Sequence, residues 1–282
     1  MNGGTTALLS AVFLYAGATF SAAFADDGAS GGLSPRNFST FWTQARVAQD
    51  DFLSPLEGPG PITGQPGKHY VPNGAGAQQT HRLADVSNPI LKPWAAEQIQ
   101  KTNDAVNAGK VPFIARERCW PTSPSGWLVY AHFAGMWVAQ TEKEIWLVQE
   151  LDQQVRRIYM DIPHSKDIKP SWYGESVGHF ENGELVVDTV GLNDKSFVDN
   201  YRTPHTDRMH MVERFKLIDS GNALQVTATI DDPGTFNMPF TAIQRWSLGP
   251  TRELTEQICA ENSEDFFNYD VVPIPRDDTP DF

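Results

Sequence analysis

The chain of 282 residues carries 35 acidic against 22 basic side chains, a formal net charge of −13, with 40% hydrophobic and 11% aromatic residues. That apolar content suffices for an ordinary core and excludes wholesale disorder. The acidic surplus argues against a phosphate-backbone binder, so nucleic acid is not an expected partner. Twenty-two Gly and 20 Pro without a collagen-like period disfavour a helical bundle and leave strands and loops as the expectation.

Residues 1–25 hold no charged side chain, run mostly apolar from Ala7 to Phe20, and close on Ala23-Phe24-Ala25 before Asp26-Asp27. This is the pattern of a signal peptide, with an uncleaved anchor as the alternative, and it implies an exported protein, periplasmic or secreted. No later stretch reaches about 18 apolar residues, so no membrane span is expected in the mature chain. An oxidising compartment favours pairing of the two cysteines, Cys119 and Cys259, as a disulfide; two buried thiols are the alternative.

Residues 26–133 read as an N-terminal wrap with short helices. Its first part is rich in Gly, Pro, Ser and Asn, with one helix-like piece at 39–49 carrying Phe41, Trp42 and Ala45. An amphipathic helix is expected over 93–108, where Pro93 suits a first turn, Ala95, Ile99, Thr102 and Val106 recur at helical spacing, and Gly109 suits a left-handed cap.

Then the period changes. Strands are predicted at 144–151, 154–161, 174–181, 184–191, 209–218, 223–231, 240–248 and 252–259, with Gly135–Gln140 a possible ninth. Short and long links alternate, Asn182-Gly183 being a hairpin turn, so in a meander the long links 162–173, 192–208 and 232–239 fall at one end and form a mouth. The expected fold is mainly β: an eight- to nine-stranded antiparallel up-and-down, lipocalin-like barrel over 134–262, with a β-sandwich as the alternative. Residues 263–282 read as an acidic tail.

Strand parity turns Glu213, Phe215, Leu217, Leu224, Val226, Ala228, Ile230, Phe240, Ala242, Gln244, Trp246 and Leu248 inward, and Leu254, Glu256 and Ile258 on the last expected strand. An inward Glu213 either has a raised pKa, as a general acid or base needs, or is satisfied by an arginine such as Arg157 or Arg245. His205 on a long link, with Asp194 and Tyr173 at the same end, is the candidate acid or base, and His210 a further orienting group. Trp172, Phe236, Trp246, Gln244 and His164 are candidate substrate contacts. Glu175, Val177, His179, Val186, Asp188 and Val190 share one face of the Asn182-Gly183 hairpin, inner or outer, an outer solvated face being the more common case.

Two other chemistries fit by composition. His205, His210 and Glu213 resemble a two-His-one-carboxylate set for zinc or iron, although residues 210 and 213 face opposite sides of a regular strand. Gly174-Glu175-Ser176-Val177-Gly178 matches G-x-S-x-G, but a hairpin rather than a helix follows Ser176, which speaks against a hydrolase elbow.

The wording of VRRIYMD (155–161), SWYGESVGHFENGELVVDTVGLNDKSF (171–197), PHTDRMHMVERF (204–215), TIDDPGTF (229–236) and the Cys259-Ala260-Glu261-Asn262 ending resembles an uncharacterised family of exported bacterial proteins. The resemblance implies a shared barrel and mouth, and supplies no activity.

The expected function is acid–base chemistry of lyase, hydratase or isomerase type on a small apolar or aromatic molecule. His205 and Glu213 would exchange protons, and Tyr173, Asp194 and His210 would orient the substrate or the bases. The alternatives are a non-catalytic small-molecule-binding barrel and a metal-dependent hydrolase or oxygenase; no cofactor is expected outside the zinc or iron alternative.

Overall fold

The computed structural model describes residues 37–44, 51–67, 82–110, 112–115, 119–129, 135–150, 154–250 and 259. The expected signal peptide 1–25, the expected strand 252–259 except for Cys259, and the expected acidic tail lie outside them. Nine strands close into one barrel in chain order: β1 (Phe41–Gln44), β2 (Gly135–Gln140), β3 (Glu144–Gln149), β4 (Val155–Met160), β5 (Glu175–Glu181), β6 (Glu184–Val190), β7 (His210–Ile218), β8 (Ala223–Asp231) and β9 (Phe240–Leu248).

Two features depart from the expected meander. Residues 41–44 are a strand rather than part of a helix, and β1 fills the gap between β2 and β9. Phe41, Trp42 and Thr43 are strand formers, and the two open ladders on either side outweigh the local helical spacing. The seam is tight: the Phe41 ring lies where a Cβ on Gly135 would sit, 1.8 Å from it. Secondly, β4 and β5 pair in parallel, so the barrel is mixed. Parallel neighbours require a crossover of about a dozen residues or more, and residues 161–174 supply it, running from one end of the barrel back to the other. Only its final part therefore joins the links 191–209 and 232–239 at the expected mouth.

That mouth is covered. Helix α2 (Pro124–Val129) is buried along its whole length. Its Trp127 carbonyl accepts from Gln149 at the end of β3, its Val129 carbonyl accepts from Asn200, and the Ser123 hydroxyl donates to the Phe197 carbonyl. Helix α1 (Pro93–Asn107) starts on the expected proline and is followed by Gly109 in the left-handed region. Its buried stripe includes Asn103, whose amide bonds both the N–H and the carbonyl of Ala84 at 3.0 and 2.9 Å, so the helix holds an irregular segment of the wrap as a strand partner would. No helix among the described residues is long and apolar enough to cross a membrane.

The barrel interior is filled by its own side chains. Trp42, Met136, Leu147, Ile158, Phe215, Leu224, Val226, Ala228, Ala242 and Trp246 are all buried. The expected inward positions of β7, β8 and β9 are buried except at the strand ends, where Leu217 is half-buried against the core and Leu248 is 38% exposed; Leu254, Glu256 and Ile258 lie outside the described residues. Cys119 and Cys259 form the expected disulfide, Cα atoms 5.6 Å apart across a sequence separation of 140. It links the wrap to the segment beyond β9.

Candidate functional site

Among the described residues, an ion pair lies inside the barrel. Glu213 is fully buried and meets Arg156 of β4, whose Nη1 donates to Glu213 Oε1 at 2.9 Å and whose Nη2 donates to Oε2. Arg156 Nη2 also reaches Thr189 Oγ1 (2.9 Å) and Ser176 Oγ (3.2 Å), and the two hydroxyls contact each other at 2.9 Å. The arginine that satisfies Glu213 is therefore Arg156, not Arg157 or Arg245: on β4 position 156 points in and position 157 out. A carboxylate held by two guanidinium contacts inside a packed barrel is a structural group. Ser176 is 2% exposed, sits in this network and is followed by the β5–β6 hairpin, so it has neither the access nor the elbow of a hydrolase nucleophile.

His205 is 3% exposed. Its Nδ1 lies 3.1 Å from the Thr206 carbonyl, which fixes the proton there, and its Nε2 accepts from the Ser196 hydroxyl at 2.9 Å. Burial pushes the imidazole below its ordinary pKa, outweighing the Thr206 bond and the charges of Asp232 and Asp194. His205 is thus a neutral, fully bonded histidine that shapes the link 191–209. Carboxylates do similar work beside it. Asp232 bonds the N–H and hydroxyl of Thr206, the Gly234 N–H and the Thr235 hydroxyl, which hold its pKa down against the opposing effect of burial. Asp199, bonded to Thr203 and the Tyr201 N–H, is pushed up to about 6 by burial.

The other expected contacts are scattered. Phe236 packs edge-on against Phe240, Trp246 is sealed in the core, Gln244 is buried with its Oε1 accepting from the Arg245 N–H, and Asp194 is exposed. Trp172 packs at a tilt against Trp120 with Lys195 over its ring, and Tyr173 donates to Gln154 at 2.7 Å. His205, His210 and Glu213 are not brought together, since His210 points out of the barrel and Glu213 in. Among the described residues no group of three or more His, Cys, Asp or Glu side chains is placed as a metal cage.

What the fold does bring together lies on the outer face of β5, β6 and β7. The crossover 161–174 folds back over this face, tied by the Asp161 N–H to Gly178, the Ser171 N–H to Gly191 and the Asn193 N–H to Ser171. It lays His164 between two carboxylates: Nδ1 is 3.0 Å from Glu175 Oε1 on β5, and Nε2 is 2.9 Å from Asp188 Oδ1 on β6. The same Asp188 oxygen is 3.1 Å from Nε2 of His210 on β7. Glu175 also accepts from the Ser165 N–H at 2.7 Å and its hydroxyl at 2.5 Å. Burial alone would raise the Glu175 pKa, but Ser165 and His164 together hold it below the usual carboxylate range. The hairpin face whose side was open in the sequence is thus the outer one, with Glu175 and Asp188 half-buried beneath the crossover and His179 exposed.

Beside this cluster, sharing Glu175 and Ser165 with it, is a cleft of about 470 Å³ between the crossover and the outer face of β4. Val155, Arg157 and Tyr159 form one wall, Asp167 and Lys169 the other, and Tyr173 lines it near Glu175. The guanidinium of Arg157 lies over the rings of Trp146 and Tyr159, at 5.1 and 4.7 Å, and is held from behind by Glu144.

A pH dependence follows from Glu175. A carboxylate with a depressed folded pKa stabilises the fold above its unfolded value and loses that contribution as the pH falls through the folded one. Glu175→Gln should therefore lower stability at pH 7, and the gap to wild type should be narrower at about pH 3, below the ordinary glutamate range. Urea titrations at both pH values check this; a gap of equal size at both would refute it.

The sequence matches no protein-family model and no curated protein.

Proposed function

We propose that the protein is an exported enzyme performing acid–base chemistry, of the lyase, hydratase or isomerase kind, on a small molecule bound at the outer face beneath the crossover. The observation that carries this reading is the single Asp188 oxygen shared by two histidines. His210 Nε2 donates to it, so in the neutral ring Nδ1 is the nitrogen without a proton, and among the described residues nothing bonds that nitrogen. The side chain is 43% exposed. A histidine oriented by a carboxylate with its other nitrogen bare is the arrangement a general base requires. His164, fixed through Nδ1 by Glu175, holds Asp188 from the other side, and the adjoining cleft offers room for the substrate. Export is supported by the apolar, uncharged first 25 residues and by the disulfide.

The test is proton exchange. Mature protein in D₂O, given a panel of small carbonyl and hydroxy compounds with acidic C–H bonds, should wash deuterium into at least one of them, as followed by proton NMR. His210→Gln and Asp188→Asn should slow that exchange by about 10²–10⁴-fold while thermal melting stays cooperative. Absence of exchange across the panel, or equal rates in both variants, would contradict the proposal; a ligand recovered bound and unaltered would instead support a non-catalytic small-molecule-binding protein.

A further inference from the structure

We infer that the cleft against β4 binds a zwitterion, specifically an α-amino acid with an apolar or aromatic side chain. The inference rests on the proposed function only in placing the ligand beside the same cluster. Its basis is charge. Four charged side chains of opposite signs line the cleft, and two of them are already engaged: Glu175 by Ser165 and His164, and Arg157 by Glu144. The other two, the Asp167 carboxylate and the Lys169 ammonium, stand two positions apart on the crossover and have no ion pair or hydrogen bond among the described residues.

A ligand bearing one charge would meet one of these groups favourably and the other unfavourably. A plain anion would also approach a chain of net charge −13. A ligand with an ammonium and a carboxylate on one carbon balances both, the ammonium on Asp167 and the carboxylate on Lys169. Asp167 and Lys169 are both exposed, so the two contacts are charge-assisted hydrogen bonds made at the rim of an open cleft. The apolar lining comes from both sides, Val155 and Tyr159 on β4 and Ile168 on the crossover, and suits a hydrophobic or aromatic side chain between them. The volume of about 470 Å³ falls in the range of small-molecule sites.

The experiment titrates mature, disulfide-intact protein, observed by NMR, with L-phenylalanine, with 3-phenylpropionate, which lacks the ammonium, and with phenethylamine, which lacks the carboxylate. Phenylalanine should bind at least about tenfold more tightly than either. Lys169→Gln should erase its advantage over phenethylamine, and Asp167→Asn its advantage over 3-phenylpropionate. Equal affinities for the three probes, tighter binding of either single-charge probe, or no binding at all would overturn the inference. Its failure is separable from failure of the acid–base reading. Asp188→Asn should bind phenylalanine as wild type does, whereas it is the variant expected to lose proton exchange.

Discussion

Glu213→Gln should destabilise the protein by about 3–5 kcal/mol, among the largest effects available to a single substitution in this fold. The change leaves the Arg156 guanidinium, 1% exposed, without its counter-charge inside a packed barrel. Arg156→Met should cost a similar amount by stranding the carboxylate. The double variant Arg156→Met/Glu213→Leu removes both charges together, and because desolvating an ion pair offsets much of its attraction, it should recover most of the loss. Urea unfolding of wild type, Arg156→Met, Glu213→Leu and the double variant measures the coupling directly. Additive losses would show that the two groups do not depend on each other. This result also bears on mechanism, since a Glu213 that serves the barrel interior should influence proton exchange only through stability.

Removing the disulfide should have an effect of comparable size. Cys119 and Cys259 close a loop spanning a sequence separation of 140, and the chain-entropy account assigns a bridge of that span about 4–5 kcal/mol. The paired variant Cys119→Ser/Cys259→Ser should therefore unfold at a much lower urea concentration than wild type, and wild type in reductant should follow it. A midpoint equivalent to less than about 1 kcal/mol below wild type would mean that the segment around Cys259 contributes little to holding the wrap against the barrel.

The barrel was legible in the sequence because its strands obey a period of two and its turns carry their own chemistry. Asn182-Gly183 closes the β5–β6 hairpin where expected, with Asn182 and Gly183 both at positive φ. Inward parity from Glu213 to Trp246 needed nothing more than counting. β1 was hidden because four residues are too few to establish a period, and their pairing depends on β2 and β9, far away in the chain. The parallel step from β4 to β5 was hidden for a related reason: a long link can either stay at one end or cross the barrel, and its length permits both.

The candidate site was only half legible. His164, His210, Glu175 and Asp188 each stood out as residues, but as members of different groups. His210 was joined to His205 by proximity in the chain, whereas its partner is Asp188 across the β6–β7 pairing. His164 meets Glu175 and Asp188 only because the crossover turns back over β5 and β6, a consequence of the parallel step. Outer-face positions of a strand usually meet solvent, and the crossover is what converts this face into a site. A signal was nevertheless present: Glu175 and Asp188 share the hairpin face with apolar Val177, Val186 and Val190, an unusual composition for a wholly solvated surface.

The central claim, that Asp188 orients His210 and leaves it a bare nitrogen, is tested most directly by long-range ¹H–¹⁵N NMR of histidine-labelled protein at neutral pH. The account predicts that His210 carries its proton on Nε2, with Nδ1 unprotonated, and that Asp188→Asn perturbs the ring nitrogens of both His164 and His210 while leaving His205, bonded to Ser196 and Thr206, unchanged. A His210 protonated on Nδ1, or ring nitrogens of His164 and His210 indifferent to Asp188→Asn, would contradict it.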